Sequence, residues 1–170
     1  MRWLGSIFPK DAGKDFSQME KDLKQREMAL VRHTNSPKET YEIGFFLGKQ
    51  ATPGQCYCLD GDLGVGKTVF AQGFAAGLEI KEVVNSPTFT IVQQYDGGRL
   101  PLHHFDVYRI GDVEEMEEIG YEDCFYGEGV CLIEWSRLIE DILPENIIRV
   151  EIEKEPKRGF DYRRITVKGL

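Results

Sequence analysis

One eight-residue stretch, Gly61-Asp62-Leu63-Gly64-Val65-Gly66-Lys67-Thr68, constrains this chain more than any other. It matches G-x-x-x-x-G-K-[ST], the pattern of a phosphate-binding loop. Residues 55–60 before it have the composition of a β-strand, and the residues from Lys67 to about Ala76 that of a helix. Because the pattern is meaningful only between a strand and a helix, this context predicts a loop that binds a polyphosphate.

The residue types of the loop indicate how it would bind phosphate. Its glycines lack a Cβ, so the backbone can adopt left-handed dihedrals and approach phosphate oxygens closely. We expect the Lys67 ammonium to bind the β- and γ-phosphates during catalysis, and the Thr68 hydroxyl to ligate magnesium. The first turn of the following helix adds unpaired amides, and the predicted nest of backbone N–H groups comprises Gly64, Val65, Gly66, Lys67 and Thr68.

A second motif supplies a carboxylate for the same site. Four apolar residues, 130–133, precede Glu134, which is the form of a Walker B strand. Glu134 would lie at the carboxyl end of a sheet strand, where open α/β sheets place their ligands. The sequence therefore predicts Glu134 as a magnesium ligand, direct or through water.

Asp106 is the second candidate carboxylate, within a run that reads as a strand. Aspartate is unfavourable in strands, and such a local conflict often marks a functional site. Asp106 is predicted to orient or deprotonate a water near the γ-phosphate, or to hold the magnesium shell. The alternative is an ion pair with Arg109 or a lysine. His103 and His104 lack a metal-ligand pattern and are interpreted as ordinary surface or hydrogen-bonding residues.

Between the loop helix and this strand lies Ser86-Pro87-Thr88-Phe89-Thr90. In phosphate-loop proteins this interval often contains the element that senses the γ-phosphate. The hydroxyls of Thr88 and Thr90 are predicted to reach the metal or the phosphate.

The remaining elements predict a three-layer α/β fold with a mixed sheet that contains antiparallel strands. Ser36 is a good N-cap, and with Glu39 it forms a capping box for a helix that ends before Thr52. An antiparallel hairpin is expected within 88–108, and an acidic helix at about 113–119. Two alternating segments, 147–153 and 162–167, predict a hairpin on one face of the sheet.

At 170 residues the chain is interpreted as an N-terminal extension, 1–32, followed by one domain, 33–170. The extension is either a helix that docks on the domain or on another chain, or a frayed tail. The helical spacing in the extension covers Asp15 to Val31. No apolar run approaches the ~20 residues of a membrane span. The four cysteines include no C-x-x-C pair and indicate core thiols in a reducing cytoplasm.

Charge argues against unaided tight binding to nucleic acid. The formal net charge is −8, and the stretch from Asp112 to Glu128 contains acids but no Lys or Arg. Such a surface repels a phosphate backbone. It is either a solvated face or a docking surface for a basic partner.

Four blocks together resemble the TsaE (YjeE) family, with matching order and spacing from about Thr34 to Val167. They are the loop at 61–68, Asn85 to Thr90, His104 to Arg109, and Cys131 to Trp135. The resemblance implies a P-loop NTPase-like fold and a cytoplasmic, magnesium-dependent ATPase. It further implies that ATP turnover resets TsaD and TsaB, the pair that makes N6-threonylcarbamoyladenosine at position 37 of tRNA. The protein would contact tRNA only indirectly, through this complex.

Carried over by the resemblance, Lys67 binds phosphate, Thr68 and Glu134 hold magnesium, and Asp106 is needed for hydrolysis. It also places Ser36 near the nucleotide base, and Trp135 near the nucleotide or a partner. At one position the chain departs from the family, which commonly has a second threonine where this chain has Val69. The Val69 amide still binds the α-phosphate, with about 0.5–1.5 kcal/mol lost for one hydrogen bond.

Three other functions stay open at this point. A small-molecule or nucleotide kinase has the same loop, but its lid usually carries several arginines, for which Arg109 and Arg137 are the candidates. A GTP-switch module is disfavoured because the chain has no N-K-x-D run. A nucleotide-binding subunit without intrinsic turnover overlaps with the ATPase interpretation.

Overall fold

The structure is a computed structural model and describes residues 29–170. Its helices are α1 (Pro37–Gln50), α2 (Lys67–Gly77), α3 (Glu114–Glu118) and α4 (Tyr121–Phe125), with 3-10 helices at Ser136–Ile142 and Pro156–Arg158. Its strands are β1 (Leu30–Thr34), β2 (Cys56–Asp60), β3 (Val92–Tyr95), β4 (Leu102–Asp106), β5 (Val130–Glu134), β6 (Ile147–Lys154) and β7 (Arg163–Lys168).

Within these residues the strands form one seven-stranded sheet in the order β1-β7-β6-β2-β5-β4-β3. The central strands β6, β2, β5 and β4 run parallel. Both edges are antiparallel, through the pairs β3–β4, β6–β7 and β1–β7. The predicted mixed sheet is confirmed, and so is the antiparallel hairpin at 88–108, although its strands are shorter than predicted.

Side chains of alternating strand positions form two cores, one on each face of the sheet. On one face α1 and α2 cover residues such as Tyr57 and Leu59 of β2. On the other face Cys56 and Cys58 pack with residues of α3, α4 and the first 3-10 helix. The sheet therefore lies between two helical layers, as the predicted three-layer fold requires.

The C-terminal hairpin was predicted in the wrong place. It does not lie on a face of the sheet, because β6 pairs in parallel with β2 and continues the sheet, with register partners such as Cys58 and Arg149. Alternation revealed two strands but could not reveal their neighbour. The buried side chains of β6, which include Ile148, Val150 and Ile152, instead belong to the core under α1 and α2.

The chain enters the sheet earlier than the sequence analysis expected. Leu30, Val31 and Arg32, assigned there to the extension, form β1 with His33 and Thr34, and Leu30 lies opposite Val167 of β7. The helical spacing up to Val31 therefore ends in a strand, because pairing with β7 outweighs local propensity. The rest of the predicted extension, 1–28, lies outside the described residues.

The acidic helix is shorter than predicted and is followed by a second one. α3 and α4 have five residues each and meet at Gly120, which has a φ of 70°. No helix within residues 29–170 is long and apolar enough to cross a membrane.

Glycines let α1 and α2 approach each other until backbone meets backbone. A Cβ at Gly48 of α1 would lie 2.0 Å from the carbonyl oxygen of Phe74, and one at Gly73 of α2 would lie 2.1 Å from that of Tyr41. Gly44 and Gly77 are equally tight, at 2.3 and 2.2 Å from backbone oxygens. Because no real Cβ fits at these distances, the spacing of the two helices depends on the four glycines.

We expect Gly48→Ala to lower the free energy of unfolding by about 1–3 kcal/mol, because the methyl group forces the helices apart. Helix propensity alone would give the opposite sign, favouring alanine by ~1 kcal/mol. Urea unfolding followed by circular dichroism measures the difference. Gly111→Ala is the control, since its Cβ would meet only a movable oxygen of Glu115 at 3.4 Å. A stabilised Gly48→Ala variant would contradict the prediction.

Candidate functional site

The phosphate loop joins the carboxyl end of β2 to the amino end of α2. Gly64 and Gly66 have φ values of 70° and 112°, the left-handed region that glycine adopts without strain. Gly66 is the N-cap of α2 and no side chain caps this helix end. The first amides of α2 are therefore available to an anion, and the helix dipole favours one there.

Lys67 lies at the start of α2 with its side chain folded back over the loop. Its Nζ donates to the carbonyl oxygens of Gly61 at 2.6 Å and of Asp62 at 3.0 Å, and lies 4.1 Å from the centre of the Trp135 ring. An ammonium has three donors, so one remains for an anionic ligand. Burial lowers the pKa of Lys67, while the carboxylates of Glu134 and Asp106 oppose that shift.

The two candidate carboxylates lie side by side at the ends of neighbouring strands. Asp106 ends β4, Glu134 ends β5, and the two are register partners in the parallel pair. Both are almost fully buried, with 3% and 2% of their surface exposed. Together with Lys67, Thr68 and Trp135 they line one cleft beside the loop.

Hydrogen bonds hold the Asp106 carboxylate in one orientation. Its Oδ2 accepts from the hydroxyls of Ser86 and Thr88, each at 3.0 Å, and its Oδ1 accepts from the Tyr108 amide at 3.0 Å. These donors replace the ion pair with Arg109 or a lysine that the sequence left open. Arg109 instead stacks on Phe89, with its guanidinium 4.4 Å from the ring centre.

Glu134 has a buried histidine as its partner. His104 Nε2 donates to Glu134 Oε1 at 2.8 Å, and the His104 side chain is fully buried. Of the two interpretations of His104, the structure confirms the hydrogen-bonding residue and excludes the surface residue. No sequence motif marks this pair, but strand alternation places His104 on the same face as Asp106, which was a usable signal.

Trp135 follows Glu134 in a backbone conformation that is rare for a bulky residue. Its φ of 62° and ψ of 33° are left-handed. The ring contacts Tyr108, with ring centres 4.8 Å apart, and lies over the Lys67 ammonium. Such strain concentrates at functional sites, and here it turns the indole towards the loop.

The donor set of the cleft fits a magnesium ion. The Thr68 hydroxyl and the carboxylates of Glu134 and Asp106 are hard oxygen ligands, which Mg²⁺ prefers. Mg²⁺ is usually held by one or two carboxylates together with the phosphates of a bound substrate. The cleft provides both the carboxylates and the loop that would bind those phosphates.

Three predicted residues, Thr90, Ser36 and Val65, are not part of the lining of this cleft, and Val65 is buried. Thr90 is exposed. Ser36 caps α1, where its Oγ accepts from the Glu39 amide at 3.3 Å. Glu39 in turn accepts from the Asn35 amide at 2.8 Å, so the capping box is shifted by one residue from the predicted form. Pro37, next to Ser36, lines a second cleft with Gly66 and Val69.

A partly buried ionic network behind the loop was missed entirely. Asp60, the last residue of β2, accepts from Ser136 Oγ at 2.7 Å and from Arg149 at 3.0 Å. Arg149 also forms two hydrogen bonds with Glu140, at 2.7 and 2.9 Å. Asp60 follows an apolar strand just as Glu134 does, and that pattern was the only available signal. The network fixes the chain after Trp135 to the strand that begins the loop.

We expect His104→Ala to destabilise the protein by about 1–3 kcal/mol, because it removes the donor that satisfies the buried Glu134 carboxylate. His104→Gln, which keeps an N–H donor, should lose less. The measurement is urea unfolding, with His103→Ala as the matched control on the same strand. Equal losses in the His104→Ala and His103→Ala variants would remove the special role assigned to this pair.

The comparisons with known proteins agree with the geometry. Residues 34–165 match the family described as "Threonylcarbamoyl adenosine biosynthesis protein TsaE". The tRNA threonylcarbamoyladenosine biosynthesis protein TsaE of Bacillus subtilis (strain 168) is 48% identical over 137 residues, which cover 81% of this chain and 84% of the relative. The protein of the same name from Treponema pallidum (strain Nichols) is 40% identical, over 70% of this chain and 87% of the relative.

A solved structure gives the same result for the fold. The crystal structure of YdiB from Bacillus subtilis superposes with a TM-score of 0.71 and 39% sequence identity. The match covers 85% of this chain and 88% of that one. The fold is therefore of the P-loop NTPase type, and the chain belongs to the TsaE family.

Proposed function

We propose that this chain is the magnesium-dependent ATPase of a threonylcarbamoyladenosine-forming tRNA modification system, working in the cytoplasm with TsaD and TsaB. The observation that carries the ATPase proposal is the pairing of Asp106 and Glu134 at adjacent strand ends, facing the phosphate loop. The names of its relatives, which refer to tRNA threonylcarbamoyladenosine biosynthesis, support the biological role.

Binding of the triphosphate falls to the loop and to Lys67. The backbone amides from Gly64 to Val69 would surround the phosphates, and the free donor of Lys67 would bind the β- and γ-phosphate oxygens. The two loop carbonyls that hold Lys67 keep its ammonium above the loop before ligand arrives. Such pre-organisation reduces the entropy that binding must lose.

Thr68 and Glu134 would hold the magnesium ion. Held by these two side chains, the ion would supply positive charge that offsets the negative charge developing during phosphoryl transfer. His104 keeps the Glu134 carboxylate turned towards the cleft, since it fixes one of its oxygens at 2.8 Å. Residues that orient ligands in this way commonly set metal affinity.

Asp106 would orient the attacking water. Its three hydrogen bonds fix the carboxylate plane, and its remaining lone pairs can accept protons from a water near the γ-phosphate. Ser86 and Thr88 thereby couple the segment after α2 to the reacting centre. Any movement of that segment would disturb the water-positioning group directly.

Exposed apolar residues around the cleft support a role for partners. Leu63 and Phe89 are each 83% exposed, and Tyr108 is 56% exposed. Exposed apolar residues gathered around a site are typical of protein interaction surfaces. Docking of TsaD and TsaB there would exclude water and complete the site, so we expect slow turnover by the isolated chain.

A kinase is the weaker alternative. Neither of the two candidate lid arginines lines the phosphate cleft: Arg109 stacks on Phe89, and Arg137 pairs with Glu151 at 2.8 Å. Efficient transfer of phosphate from ATP to a small metabolite would favour a kinase and overturn the ATPase proposal.

We expect Asp106→Asn to retain ATP binding but to lower turnover at least ~100-fold, because the near-isosteric amide cannot accept the water's protons in the same way. Calorimetry measures binding, and phosphate release measures turnover. Asp112→Asn, an exposed acid nearby on the chain, is the control. Unchanged hydrolysis by the Asp106→Asn variant would exclude this residue from the mechanism.

The test of the whole proposal is ATP hydrolysis by the full chain with magnesium, first alone and then with TsaD and TsaB. We expect a rise of ~10-fold or more on mixing, as for sites completed by a partner. Lys67→Ala and Glu134→Ala should abolish it. If no stable complex formed and ATP hydrolysis did not rise on mixing, the proposal that TsaD and TsaB are the partners would be refuted.

A further inference from the structure

A second cleft lies on the outer side of the phosphate loop. It is bounded by the start of α1, by the loop and by the turn that leads into β7, and its lining includes Thr40, Asp161 and Arg163. Gly66 and Val69 line both this cleft and the phosphate cleft. A ligand whose phosphates lie along the loop amides can therefore extend past Val69 into the second cleft.

The walls of this cleft are held at a fixed separation. Arg163 Nε donates to the Val65 carbonyl oxygen of the loop at 2.6 Å. Arg163 Nη1 donates to the carbonyl oxygens of Phe160 and Tyr162, at 2.8 and 2.7 Å. The guanidinium thus ties the loop to the turn before β7. On the opposite wall the Thr40 hydroxyl is paired with that of Thr34 at 3.0 Å. Both groups are engaged in holding the protein together.

Asp161 differs from its neighbours in the cleft. It is exposed, and among the described residues it has no hydrogen-bond or ion-pair partner. An ionised carboxylate only accepts hydrogen bonds, so its complement in a ligand is a group with donors. In this cleft it is the charged group that remains available to a ligand.

The part of a nucleotide that follows the α-phosphate is the ribose. Its vicinal 2′- and 3′-hydroxyls present two donors to one carboxylate, as in dinucleotide-binding folds where an acid binds the ribose hydroxyl. The edge of adenine suits a carboxylate less well, because its one donor, the N6 amino group, lies between ring nitrogens that are acceptors. The chemistry of Asp161 therefore matches a ribose diol better than the base.

We propose that the Asp161 carboxylate binds the ribose hydroxyls of the nucleotide and makes the site selective for ribonucleotides. This inference rests on the proposed function. Asp161 is then a specificity residue contributed by the β6–β7 hairpin, far along the chain from the phosphate loop. Arg163 acts as its positioning partner, since it fixes the turn that carries Asp161 to the loop at Val65.

The test compares binding of ATP and 2′-deoxyATP to the full chain with magnesium, by calorimetry. The wild-type chain should bind ATP about 10-fold more tightly, the effect of one hydrogen bond to a charged group. In Asp161→Ala this preference should fall to about 2-fold or less, mainly through weaker ATP binding. Asp123→Ala, which removes an exposed acid from α4, is the charge-matched control and should keep the preference.

The direction in which ATP affinity changes in the Asp161→Ala variant distinguishes ribose binding by Asp161 from simple charge repulsion. If Asp161 does not contact the ribose, the Asp161→Ala variant only loses a negative charge beside a polyphosphate. The affinities for ATP and 2′-deoxyATP should then rise equally, and the preference for ATP should stay unchanged. That result, or a wild-type chain with no preference, overturns this inference alone. Failure of the wild-type chain to bind ATP at all overturns the proposed function and this inference together.

Discussion

The parallel register of β2, β5 and β4 is the constraint on which the site depends. Glu134 of β5 lies opposite Leu59 of β2 and opposite Asp106 of β4, so one edge of the sheet gathers the loop and both carboxylates. A shift of one residue between β4 and β5 would turn Asp106 to the opposite face. Such a shift would also move the apolar side chains of a strand to the opposite face. Because the apolar side chains of each face pack in a separate core, the two cores hold the register.

Burial gives the site its electrostatic character. Two acids and an ammonium lie within one cleft, where charges interact more strongly than in water. Each is held by hydrogen bonds to neighbouring groups: hydroxyls and an amide for Asp106, an imidazole for Glu134, and carbonyls for Lys67. The pKa of Lys67 reflects the balance, since burial lowers it and the two carboxylates raise it. If a polyphosphate with its metal ion binds as proposed, it would enter a site whose dipoles are already oriented.

How far the sequence predicts this protein depends on how local each feature is. The phosphate loop, the cap at Ser36 and the Walker B form ending in Glu134 are contiguous, and their residue types alone indicate their roles. Two contacts join distant segments of the chain, the buried pair of His104 with Glu134 and the ion pair of Arg149 with Asp60. No local sequence motif predicts either contact. The C-terminal hairpin was predicted correctly as a pair of strands, but its place in the fold was wrong for the same reason. Alternation identifies strands, whereas the neighbour of a strand depends on which core it completes.

The four glycines between α1 and α2 also affect the chemistry of the loop. Where side chains separate two helices, a small shift of one is absorbed by rotamer changes, but here backbone atoms meet and no compliant layer intervenes. The amino end of α2 carries the amides that are proposed to bind phosphate, while α1 begins beside the second cleft. The two helices therefore move together as one rigid unit. A single methyl group added at Gly48 would displace the amino end of α2 without contacting any residue that is proposed to bind the ligand.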